Sequence, residues 1–271
     1  MSSIVLSAGV RSNLLQLQQT SDAITQTQTR LATGLRVNSA LDNPNNYFTA
    51  QGLDNRASDL SNLLDSMSTA INTIQAANNG ISAITKLVQS AQSLVSQAQQ
   101  TSDTTVRASL ATQFDSIRTQ IDKLAGDSGF NGINLLNGDN LTVTMNETAT
   151  STVTVSGVTD TSASALAVNA STNNWAAASD ISTASSQLTS ALTTLRSQSQ
   201  TLGSSLSTVQ IRQDFTKATI NTLQTGSSDL TLADSNQEGA NLLALQTRQQ
   251  LSTTALSLAS QADQNVLRLF Q

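Results

Sequence analysis

The side chains that most often carry enzyme chemistry are missing from this sequence. None of its 271 residues is His or Cys, which removes imidazole bases, thiol nucleophiles, disulfides and the commonest zinc ligands. Its glutamates, Glu147 and Glu238, fall at positions that the surrounding pattern predicts to be loops, and no Gly-rich phosphate loop is present. We therefore expect no catalytic residue, no cofactor and no enzymatic activity.

One segment shares part of its pattern with a metal-binding loop. Asp127-Ser-Gly-Phe-Asn-Gly132 begins as a calcium loop begins, but the twelfth position is Gly138, where such a loop needs a bidentate Glu. The segment is better explained as a tight turn, and we expect no metal site.

The surface of the protein must be largely neutral and polar. Charged residues make up 11% of the chain, against roughly 25% in an average domain, and the formal net charge is -5. An acidic chain with few Lys and Arg is poorly suited to nucleic acid, and no apolar run is long enough to span a bilayer. We expect neither nucleic acid nor a membrane as a partner. Weak repulsion between copies favours self-association instead.

Apolar residues at helical spacing predict a long helix towards each end of the chain. The N-terminal heptad seam comprises Val10, Leu14, Leu17, Ser21, Ile24, Gln28, Leu31 and Leu35. It stops at the turn that Asn43 and Pro44 predict. One face of the C-terminal helix comprises Leu251, Ala255, Leu258, Ala262, Val266 and Leu269. Such narrow seams cover each other if the two helices pair as a hairpin.

The central part of the sequence predicts three more helices and a β-hairpin. The helical stretches are about 45–100, 103–125 and 180–225. Gly226-Ser-Ser228 is expected to break the third of them. A change to alternating apolar residues predicts the hairpin over about 141–158, and the Ser- and Thr-rich residues 159–179 predict a loop.

These elements predict a mainly α-helical fold of long antiparallel rods. It is a coiled-coil-like bundle with one small β-hairpin, and the N- and C-termini pair at one end. We expect a terminal coiled-coil domain from residues 1–42 plus 229–271, and a rod domain from 43–228. Because the terminal helices are rich in Ser and Thr, an isolated pair of them is marginally stable. We expect them to be loose in the monomer and to become ordered on assembly.

Three separated motifs carry a resemblance to a known family. They are Arg30-Leu-Ala-Thr-Gly-Leu-Arg-Val-Asn-Ser-Ala-Leu-Asp42, Phe130-Asn-Gly-Ile-Asn-Leu-Leu-Asn-Gly138, and Leu242-Leu-Ala-Leu-Gln-Thr-Arg-Gln-Gln-Leu251 continued by Gln261-Ala-Asp-Gln-Asn-Val-Leu-Arg-Leu269. In type and order they resemble the motifs of the bacterial flagellins. The resemblance implies a short flagellin, with an inner domain of terminal helices, an adjacent domain of rods and hairpin, and no large outer domain.

The resemblance to flagellins also implies partners and a location. Flagellins polymerise with copies of themselves into the helical filament that bacteria use for swimming. They leave the cell unfolded through the flagellar type III export apparatus with an export chaperone, and meet filament cap and hook-filament junction proteins. We therefore expect an extracellular structural subunit of the flagellar filament. Two alternatives stay open: a hook-filament junction protein, and a secreted helical effector.

The few charged residues in these motifs are candidates for contacts between copies. Two interpretations of Arg36 stay open: a solvated side chain, or an ion pair with Asp22, Asp42 or Asp234 of another copy. We expect the assembly interface to include Leu14, Leu17, Ile24, Leu31, Arg36, Asp42, Arg248, Leu258, Val266 and Leu269.

Overall fold

Five long helices and one β-hairpin make up the fold. The computed structural model describes residues 8–159 and 161–269. The helices are α1 (Ala8–Thr33), α2 (Pro44–Gln100), α3 (Thr104–Asp127), α4 (Ala178–Thr231) and α5 (Ser235–Leu269). Strands β1 (Leu141–Thr144) and β2 (Thr152–Val155) pair antiparallel, with Leu141 opposite Val155. The prediction of a mainly helical fold with one small hairpin is confirmed.

The chain divides into two compact units. The terminal unit is drawn from Met1–Asn55 and Thr222–Gln271, and the central unit is Arg56–Asn221. Helices α2 and α4 contribute residues to both units. In the terminal unit, α1 packs against α5.

The hydrophobic core of the central unit joins α2, α3, α4 and the hairpin. Its fully buried side chains include Met67, Ile74, Ile84, Phe114, Ile121, Trp175, Leu188 and Leu195. A hydrogen bond of 2.9 Å from Gln213 Nε2 to Ser68 Oγ links α4 to α2. Helix α3 begins at an Asp103 cap, whose carboxylate accepts the backbone N–H groups of Thr105 and Val106.

The segment predicted as a loop, 159–179, packs closely against α3. Asp115 accepts the backbone N–H of Ser171 at 2.9 Å, and Arg118 Nε donates to the Val168 carbonyl at 2.9 Å. The Trp175 ring lies 5.0 Å from that of Phe114 and is completely buried. Before α4 begins at Ala178, the segment's described residues form one 3-10 turn, Asn173–Trp175, and otherwise irregular chain. These residues complete the core of the central unit.

The predicted helix break at Gly226 is wrong. Helix α4 continues through Gly226 to Thr231, and the chain turns at Leu232 to Asp234. A glycine inside a helix costs about 1 kcal/mol relative to alanine. Here the helix packs closely, since a Cβ on Gly226 would lie 3.5 Å from Leu53 Cδ1 and Ser227 is buried. Tertiary packing offsets the unfavourable propensity.

Candidate assembly surface

The seam between α1 and α5 differs from the predicted one. In α1, Thr20 and Thr27 are buried beside Val10 and Ile24, whereas the predicted seam residues Ser21 and Gln28 are exposed. Threonine suits a seam because its methyl group packs while its hydroxyl is satisfied locally. The Thr20 hydroxyl donates to the Gln16 carbonyl at 2.8 Å.

The face of α5 that packs against α1 is not the predicted one. Its buried or half-buried residues step by three and four along one face: Glu238, Leu242, Leu245, Gln249, Ser252, Leu256 and Ala259. The predicted face is exposed where its side chains are described, with Leu251 at 66% and Leu258 at 62%. The α1-facing seam of α5 is therefore rotated relative to the sequence prediction.

Helix α5 thus carries apolar side chains on two faces. At 3.6 residues per turn, Leu251 and Leu258 lie roughly opposite the Leu242 and Leu256 side of the helix. Leu243, at the edge of the same outer face, is 68% exposed. We call Leu243, Leu251, Ala255, Leu258 and Ala262 the outer face of α5. An apolar row of this kind, left exposed by the residues that the structure describes, marks an interaction surface.

An ion pair links the last turn of α1 to the first turn of α5. Arg30 Nη1 lies 3.1 Å from Glu238 Oε1, and only 9% of the Glu238 side chain is exposed. Glu238 was predicted to lie in a loop, and this prediction is wrong: it is a buried residue of a helix. Among the described residues, Arg30 Nε and Glu238 Oε2 have no hydrogen-bond partner. The pair is therefore buried but only partly satisfied.

Backbone hydrogen bonds join the two turns at the base of the α1–α5 pair. The carbonyl of Thr231 accepts the N–H groups of Arg36 at 2.7 Å and Val37 at 3.2 Å. The Ala233 N–H donates to the carbonyl of Gly34 at 3.0 Å, and Gly34 has the left-handed φ of 70° that glycine tolerates best. We call residues 34–43 together with 231–234 the junction.

The charged residues predicted at the junction have local partners. The Arg36 side chain is exposed and donates to the Leu230 carbonyl at 3.5 Å. The Asp42 carboxylate accepts the backbone N–H groups of Asn38 and Ser39, each at 3.0 Å. Among the described residues, no ion pair joins Arg36 to an aspartate. A contact of Arg36 with a second copy stays a prediction.

The hydrogen bonds to Asp42 give a pH prediction. The Ser39 and Asn38 N–H groups hold the pKa of the Asp42 carboxyl below its usual range. Stabilisation of the junction is then complete above the ordinary aspartate pKa and is lost as the pH falls through the lowered value. We expect a carboxyl ¹³C NMR titration to place the midpoint of Asp42 below the ordinary range for aspartate. A midpoint within or above that range would contradict this.

The structure distributes the ten predicted interface residues over both sides of the helix pair. Ile24 is buried, and Leu17 and Leu31 are half-buried, in the seam within the chain. The exposed members are Leu14, Arg36, Asp42, Arg248 and Leu258. Val266 and Leu269 lie in the last turns of α5, outside the described side chains. Exposed Leu15 and Leu243 were missed as interface candidates, and exposed Leu251 lies on the predicted face of α5 but was not among the ten.

No feature of the described residues points to a metal site or a membrane span. Among the side chains that are described, His, Cys, Asp and Glu form no group of three able to hold a metal ion. Within the same part of the chain, no helix combines the length and the apolar content needed to cross a bilayer.

Comparison with known families decides where the chain belongs. A model of the bacterial flagellin N-terminal helical region matches residues 8–141, and one of the bacterial flagellin C-terminal helical region matches residues 185–270. The chain belongs to the bacterial flagellin family. The two matches contain α1 and α5 respectively, so both helices of the candidate assembly surface lie inside flagellin regions.

Individual flagellins are similar to this chain over shorter stretches. Flagellin A of Rhizobium meliloti strain 1021 is 42% identical over 81 residues, which are 30% of this chain and 21% of that protein. A flagellin of Brucella melitensis biotype 1 is 34% identical over 91 residues, 34% of this chain and 32% of that protein. The chain thus covers less than a third of each relative's length. The crystal structure of Bacillus cereus flagellin gives a TM-score of 0.48 at 20% identity, over 57% of this chain and 88% of that one.

Proposed function

We propose that this chain is a structural subunit that polymerises into the helical filament of the bacterial flagellum. The observation that carries the proposal is the outer face of α5, where Leu243, Leu251 and Leu258 are each more than 60% exposed. A chain that left such a row in water as a monomer would gain by burying it against another copy. The role is structural and not catalytic, and the site of action is extracellular.

The neutral surface suits repeated packing of identical copies. Since only 11% of the residues are charged, little like-charge repulsion opposes contact between subunits. A hook-filament junction protein would share these terminal helices, and a secreted helical effector would not need them. We favour the filament subunit because both flagellin terminal regions match, and the N-terminal match, residues 8–141, contains the 130–138 motif.

Seeded growth tests the proposal. Purified chain should sediment as long filaments when short filament fragments are added, and a chain that ends at residue 244 should not. The shortened chain keeps the whole central unit, Arg56–Asn221, so circular dichroism should still report its helices. Seeded growth without residues 245–271, or a failure of the full chain to grow, would contradict the proposal.

The partners of such a subunit form part of the same proposal. We propose that the chain leaves the cell unfolded through the flagellar type III export apparatus, escorted by an export chaperone. In the filament it would contact copies of itself, and at the filament ends the cap and the hook-filament junction proteins. The absence of Cys from the sequence is compatible with assembly that needs no oxidation step.

We propose that the terminal helices, from residues 1–42 and 229–271, become fully ordered only on assembly. The terminal unit has few large buried side chains, and its buried seam includes Thr20 and Thr27. Amide hydrogen exchange should therefore be fast over 8–33 in dilute chain and slow in filaments. Slow exchange over these residues in the dilute chain would refute ordering on assembly.

Arg36 is a second test of the interface. Because its guanidinium is exposed at the junction, we propose that it pairs with an aspartate of a neighbouring copy. Arg36→Ala should then raise the concentration needed for filament growth about tenfold, as expected for a charged contact of about 1.4 kcal/mol. The matched control Arg212→Ala removes an exposed arginine of the central unit and should not change it. An unchanged critical concentration for Arg36→Ala would favour a solvated side chain.

A further inference from the structure

The α1 side of the seam between α1 and α5 repeats its chemistry every seven residues. Along α1 the aliphatic row is Val10, Leu17, Ile24 and Leu31, and the polar row is Asn13, Thr20 and Thr27. A slip of one heptad along α5 moves Val10, Leu17 and Ile24 to the places of the next aliphatic residues in the row. It moves Asn13 and Thr20 to those of the next polar residues. Apolar packing along this seam therefore determines which faces of α1 and α5 meet. It distinguishes poorly between the native register and a register shifted by seven residues.

The Arg30–Glu238 ion pair is the feature of this seam that does not repeat. Seven residues before Arg30 the same face of α1 holds Ala23, which offers the Glu238 carboxylate no partner. Because 91% of the Glu238 side chain is removed from solvent, a slip that brings Ala23 opposite it would bury an unpaired charge. The slipped register is thus penalised even though its apolar contacts are equivalent.

The junction is the other feature that can set the register. Its backbone hydrogen bonds lie beside the buried Val37 and beside exposed groups, with Leu232 at 53% exposure and Arg36 also exposed. Gly34, between α1 and these bonds, is the point at which the chain can most easily change direction. Hydrogen bonds that compete with water give only modest net stabilisation.

We propose that the buried Arg30–Glu238 pair is the register lock of the α1–α5 helix pair. The pair selects the native register chiefly by destabilising the others, because only the native register places the Arg30 guanidinium beside the buried Glu238 carboxylate. A polar group that fixes register at some cost in stability is a known use of buried charge between helices. The inference concerns the chain itself and does not depend on the filament proposal.

Disulfide trapping can read the register because the natural chain contains no cysteine. Counting equal numbers of residues back from Arg30 and forward from Glu238 places Thr20 level with Arg248 and Gln249. The pair Thr20→Cys with Gln249→Cys therefore reports the native register. The pair Asn13→Cys with Gln249→Cys reports the register slipped by one heptad. Both are measured in the dilute full-length chain, where even transient pairing gives a disulfide on oxidation with copper phenanthroline.

The expected result is a ratio of two rates. With Arg30 and Glu238 intact, the native-register pair should form its disulfide more than about tenfold faster than the slipped pair. Glu238→Gln should reduce this preference to within about threefold, and the exchange Arg30→Glu with Glu238→Arg should restore it. The matched change Asp22→Asn, at an exposed carboxylate of α1, should leave it unaltered.

Two results would overturn the register lock. In the first, Glu238→Gln keeps the full preference for the native-register pair, which would assign the register to the junction. In the second, Glu238→Gln slows both disulfides equally, which would show that the ion pair holds the helices together without selecting their register.

Discussion

Filaments should not elongate from a chain in which Leu251 and Leu258 are both replaced by Asp. The two leucines are 66% and 62% exposed in the single chain, so the change should leave its fold and its helix content unaltered. In a filament that buries the outer face of α5, each subunit would instead bury two carboxylates without partners. Even about 3 kcal/mol per subunit raises the critical concentration more than a hundredfold. Seeded sedimentation measures this directly.

A matched control separates the outer face from the rest of α5. Gln246 and Thr253 are exposed and lie on nearly the opposite side of the helix from Leu251 and Leu258, outside the row of Leu243. Gln246→Asp with Thr253→Asp adds the same charge to neighbouring turns, and we expect growth within about threefold of the unaltered chain. Equal loss of growth in both variants would show that added charge, and not the outer face, is responsible.

Trp175→Ala should be the most destabilising single substitution in the central unit. The indole is completely buried and its ring centre lies 5.0 Å from that of Phe114. Truncation therefore leaves a large cavity between α3 and the irregular segment 161–177. Loss of a buried aromatic side chain costs about 3–5 kcal/mol. Urea unfolding followed by circular dichroism should show a correspondingly lower midpoint.

The control for Trp175→Ala is a substitution on α3, the helix that carries Phe114. Val106 of α3 is 45% exposed, and Val106→Ala should change the free energy of unfolding by less than about 0.5 kcal/mol. If Trp175→Ala lowered it by less than about 1 kcal/mol, the segment would not be part of the core. Each of the two variants, once folded, should still elongate filament seeds.

Periodicity sufficed to predict where the helices lie, since a heptad row needs only local sequence. It did not predict which row of α5 faces α1, because that helix carries two apolar rows and either can form a seam. The choice depends on the partner helix: the row that includes Glu238 packs on α1, where Arg30 supplies the cation. A buried Glu cannot be recognised from sequence when its partner is distant in the chain.

The two other differences also arise from distant contacts. Helix α4 runs through Gly226 because α2 packs against it at Leu53, which outweighs a local preference for a break. Irregular residues 161–177 belong to the core because Asp115 and Arg118 of α3 bind their backbone groups. Neither contact has a short-range signal, since the groups that meet are far apart in sequence.

The reactivity of one cysteine tests the central claim most directly. Ala255 lies on the outer face of α5 between Leu251 and Leu258, and Ala255→Cys would be the only thiol in the chain. Its rate of alkylation by a maleimide should be high in the dilute chain and more than about tenfold lower in filaments, where the outer face is buried. A thiol that reacts equally fast in both states would show that α5 does not assemble through this face.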